Sequence, residues 1–210
     1  VEKAKDLALG CCQWCSSFEP KDNLKGLFNG QTGVALAWLH LSKALQDPHY
    51  LKACFSHAAT LSEEELGPQT EIFCGVAGAG LFLYRLWEAS REEKYLAEAF
   101  RHGEWLIEHA IRNKYGCLWP WHLRENPTLF GFAHGNSGIA HFFLLLYGAT
   151  QDPKWKHMVL EVIETLNKNA IPDQGGLHWP RVPEPDKDEV LRCQWCNGSP
   201  GIGLFFIKAF

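Results

Sequence analysis

One pattern occurs four times along the chain: two glycines three residues apart, G-x-x-G, followed at once by an apolar stretch of about three helical turns. The copies start 45, 60 and 63 residues apart, and their glycine pairs are Gly30/Gly33, Gly75/Gly78, Gly135/Gly138 and Gly198/Gly201. Each stretch is apolar nearly all round, which is the pattern of a helix buried on every side. The sequence therefore predicts four equivalent buried helices.

The segments between these stretches have apolar stripes with polar faces opposite, as amphipathic helices do. The clearest are residues 50–61, 95–111 and 155–168. Two of them follow an Asp-Pro pair, Asp47-Pro48 and Asp152-Pro153, which is a physical signal for a helix start. Buried helices alternating with amphipathic ones form an inner and an outer layer. We predict an all-α fold, an α/α barrel or toroid forming one domain over residues 1–210, in preference to a helical solenoid.

The composition excludes several functional classes. The net charge is −4 and the basic residues are scattered, so no field attracts nucleic acid or an anionic membrane. No apolar run is long enough to span a bilayer, and no secretory signal is visible. Eight cysteines in 210 residues are too few for a disulfide scaffold. They predict free thiols or metal ligands in a reducing, cytoplasmic compartment.

The glycine turns are the candidate functional elements. Glycine permits positive φ and close backbone approach, so we expect each turn to direct N–H groups and a helix N-terminus into one central cavity. The last two turns carry His134 beside Gly135 and Cys196 near Gly198, which we take as equivalent repeat positions. For the first two turns, a purely packing role of the glycines is the favoured interpretation.

Two aromatic loops, residues 115–122 and 175–181, each follow an outer helix and precede one of these two turns. They contribute Trp119, Trp121, His122, His178 and Trp179. Two interpretations stay open: an aromatic rim that holds an extended ligand, or Trp-Pro corners that plug the end of the barrel.

The tetrapeptide CQWC occurs at residues 12–15 and again at 193–196. A split four-cysteine zinc site is the least favoured explanation, because structural zinc pairs normally lie closer in sequence. We interpret the later copy as part of a longer unit, R-x-x-x-C-x-G, formed by Arg192, Cys196 and Gly198. The earlier copy is interpreted as a coincidence.

The segments "GFAHGNSGIAHFFLLLYGATQDPKW" and "LRCQWCNGSPGIG" resemble the lanthionine synthetase C-like family, in its free-standing cyclase form or as the C-terminal domain of a fused synthetase. Weaker support comes from "GLFNGQTGVALAWLHL" and "TEIFCGVAGAG". The resemblance implies an α/α toroid of seven inner and seven outer helices, of which this chain would supply about four repeats.

The resemblance also implies a chemistry. Cys196 matches one of three protein ligands of a catalytic Zn²⁺, which activates a peptide cysteine thiol for addition to dehydroalanine or dehydrobutyrine. His134 matches the residue that moves protons, Arg192 the group that stabilises the enolate oxygen, and Glu71 a further acidic site residue. The implied partner is a dehydrated precursor peptide, and association with a dehydratase domain is compatible with this assignment.

One departure from the family is plain: the other two zinc ligands form a Cys-His pair, and this sequence contains no Cys-His dipeptide. We interpret the sequence as part of a longer protein. Three alternatives stay open: an enzyme of the same family that adds glutathione, a non-catalytic peptide- or thiol-binding scaffold, and a carbohydrate-active α/α barrel. The last is the least favoured, because glycosidases need two facing carboxylates and only Glu71 lies near a turn.

Overall fold

The computed structural model describes residues 2–17, 26–63, 65–185 and 193–210. The described helices are α1 (Glu2–Ser17), α2 (Gln31–Leu45), α3 (Leu51–Glu63), α4 (Val76–Ser90), α5 (Glu93–Glu108), α6 (Asn136–Thr150), α7 (Pro153–Lys168) and α8 (Ser199–Ala209), with a 3₁₀ turn at Pro48–Tyr50. The strands are β1 (Ile111–Asn113), β2 (Gly116–Leu118), β3 (Pro120–His122), β4 (Glu125–Thr128), β5 (Ile171–Asp173) and β6 (Gly176–His178).

The helices form the two layers that the sequence predicts. Helices α2, α4, α6 and α8 are the inner layer, and each packs against the next one in this order. Helices α3, α5 and α7 are outer helices that pack against the inner helix preceding them in the chain, and α1 packs against α2. The predicted all-α fold, an α/α toroid, is confirmed.

Inner and outer helices differ in burial as their sequences predict. On α6 the side chains of Ile139, Phe142 and Phe143 are completely buried. On α5 the apolar stripe is buried while Glu104 faces solvent. The prediction for α5 was wrong at its end, because the helix stops at Glu108 and Ile111 lies in β1, 41% exposed.

The two Asp-Pro starts are confirmed. Asp47 accepts a hydrogen bond from the His49 backbone N–H, and Asp152 accepts one from the Lys154 N–H. Each aspartate therefore caps the first turn, and the proline that follows has no N–H that would need a partner. After Asp47 the chain first makes the 3₁₀ turn and only then enters α3.

Three antiparallel hairpins, β1–β2, β3–β4 and β5–β6, connect the layers. Two of them end in a buried tryptophan: the indole of Trp119 donates to the Leu106 carbonyl at 2.6 Å, and that of Trp179 donates to the Leu166 carbonyl at 2.8 Å. In both repeats the tryptophan thus covers the end of the outer helix. For these two residues the structure favours the plug over the ligand rim.

The four glycine turns lie side by side and are joined through their backbones. We call the residues two positions before each first glycine the ladder positions; they are Phe28, Phe73, Ala133 and Cys196. The N–H of Phe28 donates to the carbonyl of Phe73 at 3.0 Å, that of Phe73 to Ala133 at 3.0 Å, and that of Ala133 to Cys196 at 3.1 Å. All four turns therefore lie at one end of the toroid, as expected.

Only glycine fits at the second glycine position of every turn, because another part of the backbone lies where a side chain would begin. A Cβ added at Gly33, Gly78, Gly138 or Gly201 would fall far inside 3.0 Å of the carbonyl oxygen of the residue six positions earlier. The expectation of positive φ was wrong for the first glycines. They cap their helices in extended conformations, with φ between −116° and −159°.

No helix within the described ranges is long and apolar enough to cross a membrane.

Candidate functional site

Glu71 lies at the start of the second turn and is fully buried. Its carboxylate accepts backbone hydrogen bonds from Phe73 (2.5 Å) and Cys74 (2.9 Å). Its own carbonyl accepts from the N–H groups of Gly75 and Gly78. A buried carboxylate needs such partners, because an unpaired buried charge is strongly unfavourable. Glu71 therefore holds the turn together as well as supplying a negative charge.

His134 faces this carboxylate from the third turn. Its Nδ1 lies 3.5 Å from Glu71 Oε2, and its ring centroid lies 4.8 Å from that of Phe73. The imidazole is 27% exposed, so one part of the ring contacts Glu71 while another is accessible. The structure thus brings together two of the residues that the sequence nominated.

Cys196 belongs to the same ring of turns. It is half-buried and occupies the ladder position beside Ala133, and its thiol lies 3.6 Å from Gln194 Oε1. The equivalence assumed between His134 and Cys196 was wrong by one residue. His134 corresponds to Asn197 in the fourth turn, while Cys196 corresponds to Ala133. Arg192 lies outside the described residues.

The described part of the chain contains no group of three His, Cys, Asp or Glu side chains that could hold a metal ion. All eight cysteines are free thiols, and the four cysteines of the two CQWC copies do not form a cluster. Cys196 alone cannot supply the three or four ligands that zinc takes. Within the described ranges, the side chains therefore do not form a complete zinc site.

Cys74 and Asn29, which the sequence analysis did not select, extend the Glu71–His134 pair. Asn29 Nδ2 donates to the Cys74 sulfur at 3.1 Å. Burial, and then the neighbouring Glu71 carboxylate, raises the pKa of the Cys74 thiol to about 12. Cys74 therefore stays a neutral thiol at physiological pH. Their position in the repeat could have identified them. Asn29, Cys74, His134 and Asn197 all directly precede the first glycine of their turns.

Aromatic rings from different turns form a chain of contacts, Trp195 to Phe28 to Phe73, that ends at His134. Phe28 stacks on Phe73 at 5.4 Å, and Trp195 meets Phe28 at 5.5 Å in an edge-on contact. Phe28 is 53% and Trp195 37% exposed, so both present apolar surface at this end of the toroid. Of the residues proposed for an aromatic rim, Trp121, His122 and His178 are half-buried rather than buried.

In the two middle turns, the backbone N–H groups that we expected to face the cavity donate to carbonyl groups of the preceding loop instead. The Val76 and Ala77 N–H groups donate to the Gln69 and Thr70 carbonyls. Asn136 and Ser137 make the corresponding bonds to Leu129 and Phe130. These helix N-termini are therefore satisfied by their own loops and offer no anion site.

Comparison with known proteins agrees with this architecture. A family model described as lanthionine synthetase C-like protein matches residues 5–210. A search of curated proteins gave no match.

Several solved structures share the fold. Nisin cyclase is 17% identical with a TM-score of 0.66, covering 88% of this chain and 53% of its own. A D-mannose isomerase is 18% identical with a TM-score of 0.62, covering 90% and 56%. A family 76 glycoside hydrolase (mannosidase) from Bacteroides thetaiotaomicron is 14% identical with a TM-score of 0.50, covering 68% and 44%. The chain thus spans about half the length of these proteins, and at these identities the likeness concerns the fold.

Proposed function

Since the chain belongs to the lanthionine synthetase C-like family, we propose that it carries part of the active site of a peptide cyclase. In this reaction a peptide cysteine loses its S–H proton and its sulfur bonds to the β-carbon of dehydroalanine or dehydrobutyrine. The α-carbon then gains a proton, which gives a thioether ring. The observation that supports the proposal is the pairing of buried Glu71 with the partly exposed His134 at the ring of turns.

In the proposed mechanism His134 is the proton carrier. The Glu71 carboxylate near Nδ1 favours the tautomer with hydrogen on that nitrogen, because a carboxylate accepts and does not donate. The lone pair then lies on Nε2, which takes the thiol proton and returns it to the α-carbon. Glu71 fixes the ring and stabilises the imidazolium formed between these steps.

Zinc, with Cys196 as a ligand, stays a prediction that rests on the family resemblance. When bound, the metal would lower the pKa of the peptide thiol. Metal content of the purified chain and of Cys196→Ala tests the assignment. Zinc that is lost in the variant supports Cys196 as a ligand, whereas equal zinc in both proteins removes it from the metal. The role proposed for Arg192 likewise rests on the resemblance.

The cyclase proposal is tested with a synthetic peptide that contains one cysteine and one dehydroalanine. Cyclisation does not change the mass, so residual thiol is labelled with N-ethylmaleimide and measured by mass spectrometry. We expect His134→Ala to abolish thiol consumption and Glu71→Gln to slow it by about 10²-fold. The matched control is His157→Ala, whose side chain is 70% exposed on α7. Cyclisation by His134→Ala at the wild-type rate would contradict the proposal.

A further inference from the structure

The residue directly before the first glycine carries a hydrogen-bonding side chain in each of the first three turns. These residues are Asn29, Cys74 and His134. The sequence places them 45 and 60 residues apart, yet the structure connects all three through the buried carboxylate of Glu71. A line of polar contacts therefore runs across three neighbouring turns and ends at the proposed proton carrier.

The thiol of Cys74 lies between an amide donor and a carboxylate acceptor. Asn29 Nδ2 donates to its sulfur at 3.1 Å. Burial, and then the Glu71 carboxylate, raises the pKa of this thiol to about 12, so the sulfur keeps its hydrogen at pH 7. Since the amide donates to the sulfur, the S–H group is left to donate in turn, and the Glu71 carboxylate is in hydrogen-bond contact with it.

The Glu71 carboxylate has a fixed orientation between the two turns. Its Oε1 accepts the Cys74 N–H at 2.9 Å, and its Oε2 lies 3.5 Å from His134 Nδ1. The backbone donors to this carboxylate, Phe73 and Cys74, belong to its own turn. The Asn29 amide belongs to the first turn, so its bond to the sulfur ties the side chains at the carboxylate to a neighbour.

We propose that Asn29 and Cys74 are positioning residues, which form a hydrogen-bond relay that holds the Glu71 carboxylate against His134. In this relay the amide orients the sulfur, the thiol donates to the carboxylate, and the carboxylate accepts from His134 Nδ1. The proposal rests on the proposed function, because it assigns the relay to the proton carrier of that reaction. Neither Asn29 nor Cys74 transfers a proton to the substrate.

The position of the His134 hydrogen tests the relay without any turnover. In the full chain with ¹⁵N-labelled histidine at pH 7.5, two-bond ¹H–¹⁵N correlations distinguish hydrogen on Nδ1 from hydrogen on Nε2, and loss of signals in His134→Ala identifies the residue. We expect hydrogen mainly on Nδ1 in the wild type. Cys74→Ala removes the thiol donor and admits water to the half-buried carboxylate, so the Nε2 form should increase.

Two variants separate the relay from a loss of packing. Cys74→Ser keeps a donor at this place and should retain the Nδ1 form. The matched control is Cys54→Ala, which removes a buried thiol that donates to the Ala35 carbonyl on α2, and it should leave the His134 signals unchanged. Both alanine variants lose a thiol hydrogen bond, but only the loss at Cys74 should reach His134.

Asn29→Ala keeps the thiol and removes the amide donor. It should shift the hydrogen of His134 in the same direction as Cys74→Ala and by a smaller amount, and it decides the question where Cys74→Ala does not fold. In the double variant the two shifts should not add, because Asn29 acts through the sulfur. Hydrogen mainly on Nε2 in the wild type, or wild-type His134 signals in both single variants, would overturn the proposal.

The cyclisation assay gives the corresponding kinetic result. Cys74→Ala should lower kcat about fivefold, the effect of one hydrogen bond, while KM stays unchanged because the relay acts on the proton carrier. Cys74→Ser should restore the rate. Failure of the relay and of the cyclase mechanism remain distinguishable: unaltered His134 signals refute the relay alone, whereas cyclisation by His134→Ala at the wild-type rate refutes the mechanism.

Discussion

Replacing Gly138 by alanine should destabilise the protein strongly, although alanine is the better helix former. The added methyl would fall far inside 3.0 Å of the Phe132 carbonyl oxygen and 2.8 Å from Ile72 Cγ1. The carbonyl would have to retreat by about 1 Å, and the turn that it belongs to is bonded to both neighbouring turns. Overpacking a core side chain costs about 1–3 kcal/mol, and a backbone group yields less readily. We therefore expect a loss of about 3 kcal/mol or more.

The same helix contains a matched control. A methyl at Gly148 meets no atom within 4 Å, and this residue is exposed. Gly148→Ala should therefore stabilise the protein by about 0.5–1 kcal/mol through helix propensity alone. Both free energies come from urea unfolding followed by far-UV circular dichroism and tryptophan fluorescence. A Gly138→Ala variant within about 0.5 kcal/mol of wild type would refute the argument that close approach selects this glycine.

Burial lowers the pKa values of His102 and His141 to about 4, whereas the unfolded chain binds these protons near 6.5. Stability should therefore fall as the pH drops from about 6.5 towards 4, and His102→Gln should flatten this slope in urea titrations. Burial raises the pKa of the Cys54 thiol to about 12. Iodoacetamide at about pH 8 should therefore modify exposed Cys11 but not Cys54 in the native chain, as peptide mapping would show. Trp119→Phe removes a buried indole donor and should cost about 1–3 kcal/mol of unfolding free energy.

The helical layers could be predicted because the buried positions of a helix appear in the sequence as apolar residues at a regular spacing. The apolar run of α6 and the stripe of α7 both match their burial in the structure. The hairpins could not be predicted, because three-residue strands such as β1 and β5 are too short for an alternation to be recognised. The failed equivalence of His134 and Cys196 is different, since correct alignment of the glycine turns would have separated them.

Residues of the candidate site could be nominated from the sequence, but their arrangement could not. The sequence and its resemblance nominated Glu71 and His134, and the structure places them 3.5 Å apart at Nδ1 and Oε2. The sequence could not predict the hydrogen bonds from backbone N–H groups to the Glu71 carboxylate. Nor could it predict the bond from Asn29 to Cys74, which lies 45 residues away. Such contacts depend on how neighbouring turns meet in space, which no local pattern encodes.

The hydrogen-bond ladder also bears on how such a protein diversifies. It uses only backbone N–H and carbonyl groups, so the side chains of Phe28, Phe73, Ala133 and Cys196 are not needed to hold the turns together. A large aromatic ring, a methyl group and a thiol already occupy equivalent places on one frame. Selection can therefore exchange the reactive or binding group of one turn while the other turns keep their positions. In this ring of turns the backbone meets the requirements of folding, and individual side chains are left to meet those of chemistry.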